Sequence, residues 1–384
     1  MADHTVVVLG GGTGGLVAAR RLRRRLDATD RVVAIDRSPT YAFAPSFLWV
    51  MTGARRPDQV TADRRRLRGS GIELLEAEVR EIDPTHRRVR TSEADVVFDR
   101  LVIALGVDLA PEALEGFSDA AHNVYTLEGA TAALEELQHI DGGRIAIVVS
   151  SLPYKCPAAP YETAFLTEAL LRRRKVRDRA TIDLYTPEPF PMPTAGPALG
   201  EALAAMLIER GIAFHPNERV ERIDAKAQEL LLADGARASF DVLLGVPPHS
   251  APPVLATSGL AAESGFLPVD HSTLVTASEG VFAIGDATTI PLAGGKFLPK
   301  AGVFAEAEAK VVATNVAAEL AERRTSSTFD GAGACFVELG DRRAAFATGD
   351  FYAPDGPKIE LRRPGAQWHL AKVAFEQYWM RRWL

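Results

Sequence analysis

Cysteine is scarce: Cys156 and Cys335 are the only two in 384 residues. That excludes a secreted scaffold stapled by disulfides, and a pair that met in space would be redox-active rather than structural. No apolar run reaches the length of a bilayer-spanning helix. Met1 leads into a strand within a few residues, without the charged-then-apolar leader that directs export. Charge of either sign is in modest excess only, 44 basic against 50 acidic side chains, so the net charge of −6 gives no reason to expect nucleic acid as a partner. Two basic runs, Arg20–Arg25 and Arg64–Arg68, read as solvated helix faces. No metal site is expected. What remains is an ordinary soluble composition, 47% hydrophobic and 24% charged, in a chain long enough for two or three domains.

A missing glycine organises the rest. The apolar run Ile145–Val149 reads as a buried parallel strand, and Thr163–Arg174 has a helical pattern. In a nucleotide-binding βαβ unit the turn between them is glycine-rich, so that phosphates reach the backbone. Here the turn runs Ser-Ser-Leu-Pro-Tyr-Lys-Cys156-Pro-Ala-Ala-Pro-Tyr-Glu162 and holds no glycine. Packing alone would make Cys156 one more buried small hydrophobe. A Lys-Cys-Pro turn opening a helix is an unusual place for inert packing, and a thiol near a helix N-terminus is expected to have a lowered pKa. The turn therefore reads as a thiol site standing where a dinucleotide site would be.

The glycines are at the other end. Strand Thr5–Leu9 is followed by Gly10-Gly-Gly12-Thr13-Gly14-Gly15 and a helix through Arg25. Gly10, Gly12 and Gly15 give G-x-G-x-x-G in the strand–turn–helix context that the motif requires. The next strand, Arg31–Ile35, ends in Asp36 and Arg37. An acid there sits where a ribose hydroxyl is bound, and it favours FAD or NAD over NADP, whose extra phosphate it would repel. Tyr41–Met51, with Pro45 at a turn, is a candidate cofactor wall, although packing accounts for it equally well. Gly71–Arg90 reads as strands of an inserted sheet. Phe98–Gly106 is a strand whose end carries Ala104 and Gly106.

Beyond the thiol turn lie a strand at Thr181–Tyr185, a proline-rich crossing from Pro187 to Pro197, a helix over Gly200–Arg210, a strand at Ile212–His215 and a hairpin at Asp234-Gly235. The apolar strand Val281–Ile284 ends in Gly285-Asp286, and a long Ala-rich helix runs from Lys300 and Gly302 to about Arg323. Its N-terminus offers free amides and partial positive charge to a reduced flavin. On the terminal helix Trp368, Phe375, Trp379 and Trp383 fall within roughly 80° of one another, with Leu370, Val373, Met380 and Leu384 opposite and Lys372 and Arg382 flanking. One stripe could pack on the protein while the aromatic one enters a lipid headgroup layer; a two-sided core or dimer helix fits as well.

The glycine unit with Asp36, the Phe98–Gly106 strand and Phe282-Ala-Ile-Gly-Asp286 together resemble the two-dinucleotide-binding-domain flavoproteins of the pyridine nucleotide–disulfide reductase superfamily. The resemblance implies FAD, with Asp36 on the adenosine ribose and Asp286 on the ribityl and pyrophosphate part. Within that superfamily, Lys155-Cys156-Pro-Ala-Ala-Pro, Leu298-Pro-Lys300-Ala-Gly302 and Ala334-Cys335-Phe-Val-Glu-Leu-Gly340 are similar to sulfide:quinone oxidoreductases and to the flavin subunit of flavocytochrome c sulfide dehydrogenase. Those enzymes place two cysteines at the flavin, which Cys156 and Cys335 match, the later one nearest the flavin C4a atom. Glu162 stands where many relatives carry an acid proposed for proton transfer. Lys300 would stabilise the reduced flavin, and Lys155 would help keep its neighbour deprotonated or equally be a solvated lysine. Two departures stand out: there is no third cysteine upstream, and Pro187–Gly200 lacks the histidine that many relatives carry.

The expectation is an α/β chain of two Rossmann-like domains plus a C-terminal membrane- and quinone-associated segment. Residues 1–108 and 245–325 would bind FAD, 109–244 would form the second domain carrying Cys156, and 326–384 would carry Cys335 and the amphipathic end. The implied function is FAD-dependent sulfide:quinone oxidoreduction through a redox-active disulfide, at the cytoplasmic face of a membrane as a peripheral protein. Its partners would be sulfide, a membrane quinone and the membrane surface, and a homo-oligomer is allowed. The alternatives are a cytochrome-linked sulfide dehydrogenase, a type II NADH dehydrogenase-like flavoprotein and a non-enzymatic flavin-bound redox sensor.

Overall fold

The structure, a computed structural model, describes residues 3–383. The chain opens with β1 (Thr5–Leu9), α1 (Thr13–Arg25) and β2 (Arg31–Asp36). A short helix α2 (Phe47–Met51) and strands β3 (Glu73–Glu76) and β4 (Arg100–Ile103) follow. Next come β5 (Ala121–Asn123), β6 (Gly143–Val149), α3 (Ala159–Arg173), β7 (Ala180–Thr186), α4 (Pro197–Glu209), β8 (Ala213–Pro216) and β9 (Val242–Val246). Strand β10 (Val281–Ala283) and helix α5 (Gly302–Leu320) return to the first part. The last stretch holds β11 (Ala332–Glu338), β12 (Ala344–Asp350), β13 (Lys358–Gly365) and α6 (Ala366–Arg382).

Two five-stranded parallel sheets result. One has the order β10–β4–β1–β2–β3, the other β5–β9–β6–β7–β8. The central strands Val6–Leu9 and Ile145–Val149 are buried along both faces, as expected of parallel strands covered on both sides. Helices α1 and α5 pack together on the first sheet. A three-stranded antiparallel sheet, β11–β12–β13, carries α6.

The expected inserted sheet at Gly71–Arg90 is split. Its first strand, β3, joins the main sheet, pairing in parallel with β2 from Val33–Glu73 to Asp36–Glu76. Only Val79–Asp83, Arg88–Thr91 and Asp95–Val97 form the separate antiparallel sheet. Buried Ile72 anchors the approach to β3. Helix α3 starts earlier than its pattern suggested, because Pro160 falls in the first turn, where its missing N–H loses no bond. Pro197 opens α4 in the same way.

The terminal helix corrects the expectation of a lipid-facing aromatic stripe. Trp379 and Trp383 are each 1% exposed. Trp379 Nε1 donates to Tyr41 Oη at 2.8 Å, and its ring lies 6.0 Å from that of Phe43. Phe375 packs on the same Phe43 ring, while Trp368 stacks on Phe346 at 4.6 Å. The stripe closes the core over the first sheet because burying a large ring is worth a few kcal/mol. Leu370 and Tyr378 are what α6 turns outward, 65% and 54% exposed. Val373 and Met380 are half-buried, and Leu384 lies outside the described residues. No helix among the described residues is long and apolar enough to cross a membrane.

Candidate active site

Two cavities meet at the thiol turn. The first, about 870 Å³, runs from the glycine loop and Asp36 at one end to Lys300 and Cys156 at the other. Gly10, at φ +92°, crosses β4 so closely that a Cβ would fall 2.4 Å from Ala104 O. A Cβ at Gly12 would meet nothing within 4 Å, so this position opens onto the cavity. Thr13, Gly14, Arg37, Pro45, Ala104, Gly106, Gly285, Asp286 and Gly302 line the cavity as well. Gly15 does not; a Cβ there would lie 1.8 Å from Gly10 O, so its task is to let α1 close on the loop.

Asp36 is held from three sides. Its Oδ2 accepts from Gly11 N at 2.6 Å, and its Oδ1 accepts from Ser38 N at 2.9 Å and from Arg64 Nη1 at 3.1 Å. Arg64 corrects the reading of its run as a solvated face. It is 8% exposed, lines the cavity, and donates further to Gly11 O, Ser38 O and Thr40 O. Its neighbours Arg65, Arg66 and Arg68 are exposed as expected.

At the far end Lys300 Nζ donates to Asp286 O at 2.7 Å and Thr288 O at 3.1 Å, and it lies 3.5 Å from the centre of the Phe266 ring. Burial lowers its pKa to about 8 and raises that of Asp286. Glu308, one turn into α5 beyond the cavity wall, accepts from Gly285 N at 2.6 Å, and burial raises its pKa to about 7. An open glycine loop, a fixed ribose-position carboxylate and a helix N-terminus with a lysine beside it fit an FAD lying along this cavity.

The second cavity, about 720 Å³, is lined mostly by apolar side chains such as Met192, Phe266, Phe304 and Phe351. Cys156 and Cys335 both open onto it. Cys156, Lys300 and Ala301 form walls of both cavities, whereas Cys335 borders the second alone. Cys156 is thus the thiol that lines the first cavity, with Cys335 next to it along the second. Both cysteines are free thiols in this structure. Cys156 sits at φ +51°, a left-handed conformation that costs a non-glycine residue about 1–2 kcal/mol. Its amide is pinned by a 2.7 Å bond to Lys300 O.

The thiol pKa is not lowered. Burial pushes Cys156 up to about 12, with Glu162 adding to it, and raises Cys335 too. The helix-terminus effect is present, through the Ala159 amide, but burial outweighs it. The cation that counters this is not Lys155, which lines the first cavity, but Lys372. Lys372 flanks the aromatic stripe of α6, which left a lipid-facing position open to it. Instead it is 6% exposed, and its Nζ donates to Glu162 Oε1 at 2.8 Å. Burial lowers the ammonium's pKa, but Glu162 and Glu338 outweigh that and leave it raised.

Sequence reasoning missed four further side chains here: Tyr125, Tyr154, Glu188 and His249. Tyr125 Oη donates to Cys156 O at 3.1 Å. His249 Nδ1 donates to Pro247 O at 2.8 Å, and burial holds its pKa at about 4. Glu188 follows β7 as Asp36 ends β2, which is where a second dinucleotide's ribose would bind. Tyr154 and Tyr161 cover it with their hydroxyls. Its Oε2 is thus already engaged where a ribose hydroxyl would bind, in agreement with the missing glycine motif, while the side chain remains on the wall of the second cavity.

Comparison with known proteins agrees with this architecture. A sulfide:quinone oxidoreductase of Mus musculus mitochondria is 26% identical over 370 residues, covering 91% of this chain and 79% of that protein. A sulfide-quinone reductase of Aquifex aeolicus is 26% identical over 400 residues, covering 99% and 91%. The X-ray structure of the Aquifex aeolicus sulfide:quinone oxidoreductase superposes with a TM-score of 0.89 at 23% identity, over 99% of this chain and 91% of that one. Residues 4–309 match the pyridine nucleotide-disulphide oxidoreductase family, and the chain belongs to it.

Proposed function

We propose that the protein is an FAD-dependent sulfide:quinone oxidoreductase. The observation that carries this reading is the shared wall: two cysteines from distant parts of the chain open onto one apolar cavity, and one of them also borders the FAD cavity. In this reading residues 1–108 and 247–325 hold FAD, 109–246 present Cys156, the expected boundary moving because Val242–Val246 is a strand of the second sheet, and 326–384 present Cys335 and the quinone side.

Cys156 and Cys335 form a disulfide in the oxidised enzyme. Hydrosulfide attacks one sulfur, breaking the S–S bond; this leaves a persulfide on one cysteine and a thiolate on the other. The thiolate forms in a buried site that disfavours it, so Lys372, held by Glu162, is the cation that makes the step accessible. FAD held in the first cavity would supply the two-electron carrier between the cysteine pair and a quinone. Asp36 and the glycine loop would hold its adenosine end, and Lys300 with the N-terminus of α5 would stabilise the end that gains charge. Phe336, Phe346 and Trp368, whose rings follow one another at 4.8 Å (tilted) and 4.6 Å (stacked), wall the quinone site. Leu370 and Tyr378 face a membrane surface, cytoplasmic in this reading.

The Glu188 oxygen already engaged by Tyr154 and Tyr161 counts against NADH as the donor. The test is steady-state turnover: sulfide-dependent reduction of a short-chain quinone by the FAD-loaded protein, abolished in Cys156→Ser and Cys335→Ser. Turnover with sulfide and cytochrome but not quinone would move the protein to the cytochrome-linked class.

A further inference from the structure

One buried carboxyl has no part in the chemistry above. Glu188 is 3% exposed and lies on the wall of the second cavity, with Cys156 and Cys335. Its Oε2 accepts from Tyr154 Oη at 2.9 Å, from Tyr161 Oη and from Thr186 Oγ1 at 3.3 Å. The Met192 amide also acts on the carboxyl. All of these donors are neutral, and among the described residues no Lys, Arg or His forms an ion pair with it. Neutral donors fix a carboxyl in place without cancelling its charge, so burial raises its proton affinity.

The groups around it are set differently. Tyr125, Tyr154 and Tyr161 are raised well above the usual phenol range by burial and stay neutral. His249, on the same wall, is also neutral near pH 7. Lys300 commits its ammonium to the Asp286 and Thr288 carbonyls, and the two thiols hold their protons tightly. Tyr154 ties the carboxyl to the thiol turn, since its hydroxyl also lies 3.4 Å from Pro157 O. Leu152 and Phe297, 50% and 57% exposed, mark where the cavity opens to solvent.

We infer that Glu188 is the proton acceptor for the sulfur substrate in this cavity, taking one proton from hydrogen sulfide beside the cysteine pair. This rests on the sulfide reading above. The step balances as hydrogen sulfide plus carboxylate giving hydrosulfide plus carboxylic acid. The hydrosulfide then attacks the Cys156–Cys335 disulfide, one S–S bond breaking as another forms, to give a persulfide and a thiolate. Glu188 releases its proton to solvent through the cavity mouth.

The test is anaerobic stopped-flow reduction of the FAD-loaded protein by sulfide across pH. Glu188→Gln is expected to slow flavin bleaching by about 100-fold below the first pKa of hydrogen sulfide, and to approach the wild-type rate at alkaline pH, where solvent supplies hydrosulfide. Tyr154→Phe removes a donor to the carboxylate and is expected to move the wild-type pH dependence to higher pH. An unchanged profile in Glu188→Gln overturns the assignment, as does a loss that is uniform across pH with Tyr154→Phe unshifted. Should Glu188→Gln not retain FAD, the Tyr154→Phe shift decides alone. A wild-type flavin that sulfide does not bleach at any pH brings down the sulfide reading and this inference together; bleaching with the wrong pH profile brings down only the inference.

Discussion

Lys372 Nζ lies 2.8 Å from Glu162 Oε1, with the two side chains 8% and 5% exposed. The same carboxylate oxygen accepts from Glu338 N at 2.8 Å. One ion pair therefore ties α3, β11 and α6 together beside the two cysteines. Removing one partner of a buried pair strands the other charge, at a cost of about 3–5 kcal/mol. Lys372→Met is expected to lose that much stability in urea unfolding of the FAD-loaded protein. The double variant Lys372→Met/Glu162→Gln is expected to recover most of it. Equal losses in the single and double variants would mean that the pair is not coupled.

The two faces of α6 give opposite expectations. Trp379→Ala leaves a cavity in the core and is expected to cost about 3–5 kcal/mol, read as a lowered Tm. Tyr378→Asp and Leu370→Asp alter exposed positions and are expected to stay within about 0.5 kcal/mol of wild type. Their effect belongs in sedimentation with lipid vesicles, where each is expected to weaken binding. Vesicle binding unaffected by both would remove α6 from the membrane contact.

Glu308 makes stability depend on pH. Its pKa is raised from 4.5 to about 7 in the folded protein. Between those values the folded state binds the extra proton, so stability is full below 4.5 and falls as pH rises through about 7. Glu308→Gln keeps an acceptor for Gly285 N but cannot ionise. It is expected to be more stable than wild type above that range by about 1–3 kcal/mol, and equal to it below. Melting curves across pH check this, and parallel curves for the two proteins would contradict it.

Local chemistry explains which parts of the site were legible in the sequence. Gly10, Gly12 and Asp36 announce a dinucleotide loop because turn geometry and strand ends are decided by near neighbours. The glycine-free turn at Cys156 is informative for the same reason. Arg64 and Lys372 were misread because charged runs and flanking lysines are usually solvated, and only distant partners, Asp36 and Glu162, bring these two inside. On α6 the periodicity shows two apolar stripes, but it cannot say which one meets Tyr41 and Phe43. Glu188 gave no signal in its proline-rich segment, since its significance depends on tyrosines from the thiol turn and α3. The lowered thiol pKa was a sound inference from a helix terminus, overridden by burial that the sequence does not display.

The central claim is that electrons enter through the two thiols and not through a nicotinamide. The most direct measurement is anaerobic flavin absorbance of the FAD-loaded wild type, Cys156→Ser and Cys335→Ser, each mixed separately with sulfide and with NADH. The account predicts rapid bleaching of the wild type by sulfide, loss of that response in both variants, and no bleaching by NADH in any of the three. Bleaching by NADH with indifference to sulfide would contradict it.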